Sequence, residues 1–438
     1  MSARETALQV LVDCRSNSAW ADAALKAQIS RDKLSPADAA LCSRMVYGIM
    51  QNRMLLDYYL TAFCSQKPDH LQPPLLEILR LGAYQILFLD KVPDSAAVNE
   101  SVKLAKAKRP QAAGLVNAVL RKLAQNKENL PAIPMRDDVQ YLSIRYSHPK
   151  WLVKRLLTIL GREETEAFLS INNEVAPMTA QVNPLKTTEE DLLSELSESG
   201  VSAKKHAWVS GCLELSGTGD LTALPAFQDG KFLIQDPAAR FVAILAELEP
   251  GKKVLDVCAA PGGKSFSAGF AMEGKGEIVS CDLHENKLKR ILDSANRLGL
   301  HCIETAAQDG RVFREEWAEQ FDVVLVDAPC SGLGIIRKKP DTRYKKADDL
   351  FTLPVIQAAI LENAAKYVAP GGRLIYSTCT ILPEENEQVT DAFLLSNPNF
   401  EREKFLLPNL KEETDGQITL WPQRQGTDGF YICRMKRR

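Results

Sequence analysis

Two cysteines sit where a thiol could work. Cys330 stands in VDAPCSGLG, just past an apolar run that closes on Asp327, and Cys379 closes the run RLIYSTCT. Both runs have the continuous apolar character of strands buried on two faces of a parallel sheet. The carboxyl ends of such strands open on one edge, where ligands bind. If the two strands are neighbours, both sulfurs meet in one pocket. No C-x-x-C spacing occurs, and the five histidines (His70, His148, His206, His284 and His301) form no metal-ligand pattern, so no metal is expected. The ten cysteines are scattered singly, which suits a reducing compartment rather than a disulfide framework. What remains for a thiol pair is nucleophilic work, with Lys264 as the nearby cation that would favour a thiolate. Cys14, Cys42, Cys64, Cys212, Cys281, Cys302 and Cys433 read as small buried hydrophobes.

A second constellation lies upstream. APGGKS places Gly262 and Gly263 in the turn after a strand, where backbone can approach a ligand without a Cβ in the way. The turn is not G-x-G-x-x-G, which argues against a dinucleotide and a dehydrogenase. Asp282 ends the next strand, placed to accept the hydroxyls of a ribose. Asp309 ends the third, within reach of an adenine amino group. A close-approach turn, a ribose acid and an adenine acid without a diphosphate cradle suit S-adenosylmethionine.

A methyl donor beside two thiols points to one reaction. Carbon 5 of cytosine is too electron-poor to attack a methyl sulfonium. Thiolate addition at carbon 6 makes carbon 5 enamine-like, after which it can take the methyl group, lose its proton and expel the thiol. Asp327 is placed to protonate or hydrogen-bond ring N3. The base must be unpaired to enter such a pocket. Position alone leaves open which thiol attacks.

The elements that hold these residues alternate strand and helix from residue 252 onward: KKVLDVCAA, GEIVSCDL with the helix HENKLKRILDSANRLG, HCIETAAQDG, FDVVLVDAP, then a helix over LPVIQAAILENAAKYVAPGG leading into RLIYSTCT. Such alternation predicts a parallel sheet with helices on both faces, a Rossmann-like α/β domain over 231–438. Residues 1–130 show no strand alternation. SPADAALCSRMVYGIM opens with Ser35 as N-cap, Pro36 at the first helical position and Asp38 as the capping-box acid. PPLLEILRLGAYQILFL carries an apolar stripe wide enough for a helix inside a bundle, so an all-α domain is expected. Over 131–230, a strand MTAQVNP, a helix capped by Thr187 and Glu190 and strands CLELSG and KFLIQD predict a linker and a small α+β module.

Net charge is −2, so any nucleic-acid surface must be local. Between Val102 and Glu128 there is no acid, yet Lys103, Lys106, Lys108, Arg109, Arg121, Lys122 and Lys127 occur. The stretch is either a phosphate-binding face or a solvated helix face. Around Tyr344, the bases Arg337, Lys338, Lys339, Arg343, Lys345 and Lys346 suit single-stranded RNA, with a mobile solvated loop as the bland alternative. No secretory signal or membrane-length apolar run is seen, so a cytoplasmic, membrane-free monomer is expected.

The stretch AAVNESVKLAK to GLVNAVLRKL resembles the NusB family of RNA-binding domains. VCAAPGGKS, DAPCSGLG with RKKPDTRY, YSTCT with PEENE, and QRQGTDGFYICRMK resemble the signature motifs of RNA cytosine-C5 methyltransferases. End to end, the chain resembles the RsmB (Sun/Fmu) family, and the resemblance implies methylation of 16S ribosomal RNA at cytosine 967. The resemblance implies that Cys379 is the nucleophile and that Cys330 assists product release. It also implies cofactor contacts along Cys258, Ala259, Ala260, Pro261, Gly262, Gly263 and Lys264, and at Asp282, Asp309 and Asp327. The partner it implies is 16S rRNA or an early small-subunit assembly intermediate. A transfer-RNA enzyme and a non-catalytic RNA-binding assembly factor are the competing readings. The intact cysteine pair argues against the latter, and against a protein methyltransferase, since amino groups need no covalent activation.

Overall fold

The computed structural model describes residues 1–16, 20–407 and 412–438. It forms two compact units: Met1–Glu174 with Ile336–Lys345, and Val175–Ile335 with Lys346–Arg438.

The first unit is helical. Ser35 caps helix Pro36–Phe63 by accepting from the Asp38 N–H, as its sequence predicts. Helix Pro73–Phe88 is buried on every residue from Leu75 to Ile86, which explains its wide apolar stripe. The polar members of that stretch are neutralised in place. Arg80 Nη2 lies 2.6 Å from Asp57 and Nη1 2.5 Å from Glu77.

The segment Ile336–Lys345 belongs to this helical unit, and here the reading of a basic RNA-contacting loop fails for its two central residues. Arg343 is fully buried. Its Nη1 donates to the carbonyls of Gln51 (3.2 Å) and Tyr146 (3.2 Å) and to Asn173 Oδ1 (2.7 Å), and Nη2 donates to the Asn172 carbonyl (3.1 Å). Burial pushes its pKa down to about 10. The Tyr344 hydroxyl donates to the Met50 carbonyl at 2.6 Å, and the Arg53 guanidinium lies 3.4 Å from the centre of its ring. Tyr146 and Asn172 stand at the carboxyl ends of helices, where carbonyls lack intrahelical donors. A guanidinium with five donors meets that need without any carboxylate.

The second unit holds two larger sheets. The smaller has strands β1 (Met178–Val182), β2 (Ser202–Lys205), β3 (Cys212–Ser216) and β4 (Phe232–Ile234), antiparallel in the order β2-β3-β1-β4. Helix Glu189–Glu198 covers it through buried Leu192 and Leu196. Its N-cap is Thr188, which accepts from the Asp191 N–H, one residue later than the predicted Thr187. Strand β2 was not predicted: SAKK is exposed on most of its length and has no apolar alternation to reveal it.

The larger sheet contains β5 (Lys253–Asp256), β6 (Glu277–Asp282), β7 (Ile303–Ala307), β8 (Phe321–Asp327) and β9 (Val368–Thr378), parallel in the order β9-β8-β5-β6-β7. After β9 come β10 (Phe400–Arg402), the separate hairpin β11 (Phe405–Leu407) and β12 (Glu412–Thr414), β13 (Gln417–Leu420) and β14 (Phe430–Arg437). Strand β14 inserts between β9 and β10, antiparallel to both, so the sheet is mixed rather than wholly parallel. The long helix expected to run through Gly372 ends at Ala365. The chain is already paired with β8 at Val368, and Gly371 takes φ 75° at the irregularity that follows. The topological switch falls between β5 and β8, from which the chain order runs outward in opposite directions.

Candidate active site

Five parallel strands deliver their carboxyl ends to one edge. Asp256 ends β5, Asp282 ends β6, Asp309 follows β7, Asp327 ends β8 and Cys379 follows β9. Strands β8 and β9 are adjacent and pair Asp327 with Ser377, so the loops that leave them run side by side. Their sulfurs meet, with Cys330 Sγ 3.3 Å from Cys379 Sγ.

Backbone contacts hold the two loops together. The Gly334 N–H donates to the Cys379 carbonyl at 2.9 Å, and the Gly429 N–H donates to the Gly334 carbonyl at 2.9 Å. A Cβ on Gly334 would lie 1.8 Å from the Gly429 oxygen, so glycine is required at this crossing. The loop before β14 thereby becomes a third wall of the cysteine site. Side chains add to the lattice. Thr378 Oγ1 donates to Asn386 Oδ1 at 2.6 Å, Asn386 Nδ2 donates to the Thr380 carbonyl at 3.1 Å, and the Ser331 and Thr380 hydroxyls lie 2.6 Å apart.

Lys264 and Asp327 face each other at 2.6 Å, and Ser377 Oγ donates to Asp327 at 3.1 Å. Burial lowers the pKa of Lys264, but the attractions of Asp327 and Asp256 together outweigh it and the net shift is upward. Lys264 therefore carries its positive charge beside Asp327 in the resting protein. The hydrogen bond to Cys379, together with burial, pushes the Cys330 thiol well up.

The glycine turn is shaped first by its own chain. Gly262 has φ 103°, and a Cβ there would meet the Phe266 ring at 2.5 Å; one on Gly263 would meet the Gln235 amide at 3.1 Å. The peptide between Ala260 and Pro261 is cis. Ala259 is held by its N–H to the Cys281 carbonyl (2.7 Å), and burial pushes the Cys258 thiol up. Behind the turn, Asp256 is fully buried and was missed as a polar position, because VLDVC reads as one apolar run. It accepts from Ser265 Oγ (2.7 Å), which accepts from Ser280 Oγ (2.8 Å), and burial raises its pKa to about 6.

Asp282 accepts from the His284 N–H at 2.9 Å and lies 3.2 Å from Lys287 Nζ. Asp309 is gripped by Arg311 within its own loop, through Nε (3.0 Å), Nη2 (2.7 Å) and the backbone N–H (2.9 Å), which lowers its pKa. Asp309 thus meets a guanidinium on both oxygens, a partner that the strand-end pattern gave no sign of. The set fits S-adenosylmethionine. A left-handed glycine opens helix Gly263–Ala271 at a strand end, and carboxylates close the two neighbouring strands. Among the described residues no group of three or more His, Cys, Asp or Glu side chains is placed to hold a metal. Of the remaining cysteines, Cys42, Cys212, Cys281 and Cys433 are buried, while Cys14, Cys64 and Cys302 are half-buried against the cores.

Residues 243–436 match the family model described as 16S rRNA methyltransferase RsmB/F, residues 1–125 match the NusB family, and residues 148–222 match the RsmF/B-like ferredoxin-like domain. The chain is 38% identical over its whole length to the probable ribosomal RNA small subunit methyltransferase B of Bacillus subtilis (strain 168), covering 99% of that protein. It is 34% identical, over 93% of its length and 92% of the relative, to ribosomal RNA small subunit methyltransferase B of Klebsiella pneumoniae subsp. pneumoniae. Among solved structures it is similar to PH0851, with TM-score 0.82, 28% identity and coverage of 100% of this chain and 99% of that one. The chain therefore belongs to the ribosomal RNA small subunit methyltransferase B family, S-adenosylmethionine-dependent rRNA methyltransferases that join a NusB domain, a ferredoxin-like module and a methyltransferase domain.

Proposed function

We propose that this protein methylates carbon 5 of a cytosine in 16S rRNA, at the position corresponding to cytosine 967, through a covalent adduct between Cys379 and ring carbon 6. The observation that carries the reading is the 3.3 Å approach of two thiols at the ends of adjacent parallel strands, beside a buried Lys264–Asp327 pair.

Cys379 attacks carbon 6 as the thiolate, favoured by the cation of Lys264. As the sulfur–carbon bond forms, the Lys264–Asp327 pair delivers a proton to N3, so the electron pair displaced from the ring is held as an enamine. S-adenosylmethionine, when bound, supplies an electrophilic methyl group. The loop from Cys258 to Lys264, with Asp282, Asp309 and Asp327, would hold that donor. Release requires loss of the C5 proton to a base, cleavage of the sulfur–carbon bond and return of the N3 proton. Cys330, adjacent to the leaving sulfur, assists this elimination.

The helical unit supplies RNA affinity. Lys106, Lys108, Arg109, Arg121 and Lys122 are exposed there, while Lys103 and Lys127 pair with Glu100 and Asp94. Among the described residues no helix is long and apolar enough to cross a membrane. The proposed setting is the cytoplasm, with a monomer acting on 16S rRNA or an early small-subunit assembly intermediate.

Bisulfite mapping of ribosomal and transfer RNA from cells with and without this protein tests the reading. One 16S cytosine should lose protection in its absence. Loss at a transfer-RNA cytosine, or at none, overturns it.

A further inference from the structure

Glu385 is 1% exposed, and among the described residues every hydrogen bond its carboxylate receives comes from a neutral donor. Its Oε2 accepts from the Ser331 N–H at 2.8 Å and from Gln357 Nε2 at 2.9 Å, and its Oε1 accepts from the Thr380 hydroxyl at 3.3 Å. Ser331 directly follows Cys330, and Thr380 directly follows Cys379. Gln357 spends its second amide hydrogen on the Pro329 carbonyl at 2.9 Å, so the residue before Cys330 is held as well. The hydroxyl chain closes the ring. Thr380 donates to Glu385, which leaves Ser331 Oγ to donate to Thr380 at 2.6 Å. The Tyr376 hydroxyl donates to the Glu385 carbonyl at 2.7 Å and fixes the backbone that presents the carboxylate.

Among the described residues no cation pairs with it, and burying an unpaired carboxylate is costly where neutral groups could fill the same space. Its presence asks for a role that needs both its acceptors and its charge. Resting on the two-thiol reading above, we propose that Glu385 is the positioning residue of the reaction: it clasps the loops of both cysteines to fix their approach and holds Cys330 in the protonated form. One carboxylate reaches the neighbours of both thiols, which a chain of independent loop contacts would not achieve. Its carboxylate sits on the amide that directly follows Cys330, and after the Cys379 contact and burial its negative charge, with that of Asp327, adds to the upward shift of the Cys330 thiol. Glu385→Gln can keep the clasp, with the oxygen turned to Ser331 and Gln357 and the amide donating to Thr380, while it removes the charge. Glu385→Ala removes both.

The test uses the full-length protein and its Glu385→Gln, Glu385→Ala and Thr380→Val variants. Iodoacetamide alkylation of Cys330 is followed against pH by peptide mass spectrometry, without RNA. Steady-state methyl transfer and thermal melting are measured alongside. The Cys330 profile should move to lower pH in Glu385→Gln by about one unit, with little change in melting. Glu385→Ala and Thr380→Val should lose kcat, about 100-fold for the alanine variant, with KM for RNA near the parent value. An unmoved Cys330 profile in Glu385→Gln overturns the proposal, and so does a kcat loss that only tracks lost melting temperature. An RNA carrying 5-fluorocytidine at the target separates the two readings. If the parent protein forms no gel-stable adduct with it, the covalent mechanism fails, whereas the alkylation profile still decides the role of Glu385.

Discussion

Lys264 Nζ lies 2.6 Å from Asp327 Oδ2, a buried cation against a carboxylate that the neighbouring strand also hydrogen-bonds through Ser377. Replacing Lys264 by Gln leaves Asp327 without its charge partner and removes the cation proposed to assist Cys379. Methyl transfer should fall about 100-fold or more, with binding of S-adenosylmethionine by calorimetry reduced far less. An equal loss in both would assign Lys264 to the donor rather than to the thiol chemistry.

The sulfur pair makes a directional prediction. Cys379→Ala should abolish methyl transfer and form no adduct. Cys330→Ala should still attack but release slowly, so that a covalent protein–RNA band accumulates on a denaturing gel. The band appearing with the Cys379 variant instead would reverse the roles.

Gly334→Ala places a methyl group 1.8 Å from the Gly429 carbonyl oxygen and 2.9 Å from that of Cys379. The crossing must open, which breaks the hydrogen bond that ties the Cys330 loop to Cys379. Activity should be lost almost completely while far-UV circular dichroism stays native. Retained activity would show that the crossing does not fix the pair.

Arg343→Met should destabilise the helical unit, because the carbonyls of Gln51 and Asn172 lose a buried donor, while that of Tyr146 keeps Asn173 Nδ2 at 3.0 Å. With each unsatisfied group costing about 1–3 kcal/mol, a loss of about 2 kcal/mol or more is expected in denaturant unfolding. The slope of log RNA affinity against log salt should not change, since a buried guanidinium neutralises no phosphate. A shallower slope would return Arg343 to the RNA surface.

His148 gives a pH dependence with a definite sign. It is fully buried; its Nδ1 faces the Tyr146 carbonyl at 2.7 Å, its Nε2 faces the Asn172 amide at 3.4 Å, and Arg343 lies near. Burial, with help from Arg343, lowers its pKa well below 6.5, so the folded ring stays neutral. The unfolded ring protonates below pH 6.5, so unfolding takes up a proton there and stability falls as pH drops. The slope approaches about 1.4 kcal/mol per pH unit. Replacing His148 by Gln should flatten the stability profile between pH 5 and 6.5; an unchanged slope would place the titration elsewhere.

How much of this could be read from the chain depends on what each residue must satisfy. Strand ends were legible because a strand buried on both faces has to be apolar until it reaches the open edge, where Asp282, Asp327 and Cys379 stand. Helix starts were legible where a cap and its acid fall in register, as at Ser35 and Asp38. The pattern failed where tertiary partners replace solvent. Arg343 and Tyr344 look like a surface loop because nothing local announces the helix ends that receive them. Glu385 stands in PEENE beside Glu384 and near Glu387, and nothing local distinguishes the acid that is buried from its neighbours. The insertion of β14 beside β9 was invisible for a related reason: an apolar strand does not encode which direction its neighbour runs.

The segment Ile336–Lys345 is threaded through the helical unit, although the chain enters it six residues after Cys330 and then returns to the methyltransferase unit. The two parts are therefore not a cassette and its accessory. A gene fragment beginning at residue 175 would keep the Cys330 loop but strip Arg343 of the carbonyls that receive it. One ending at residue 174 would leave those carbonyls facing a void. Inheritance, swapping or trimming of either half is constrained by the other, and a lineage that lost the helical unit would have had to rewrite the loop that follows Cys330.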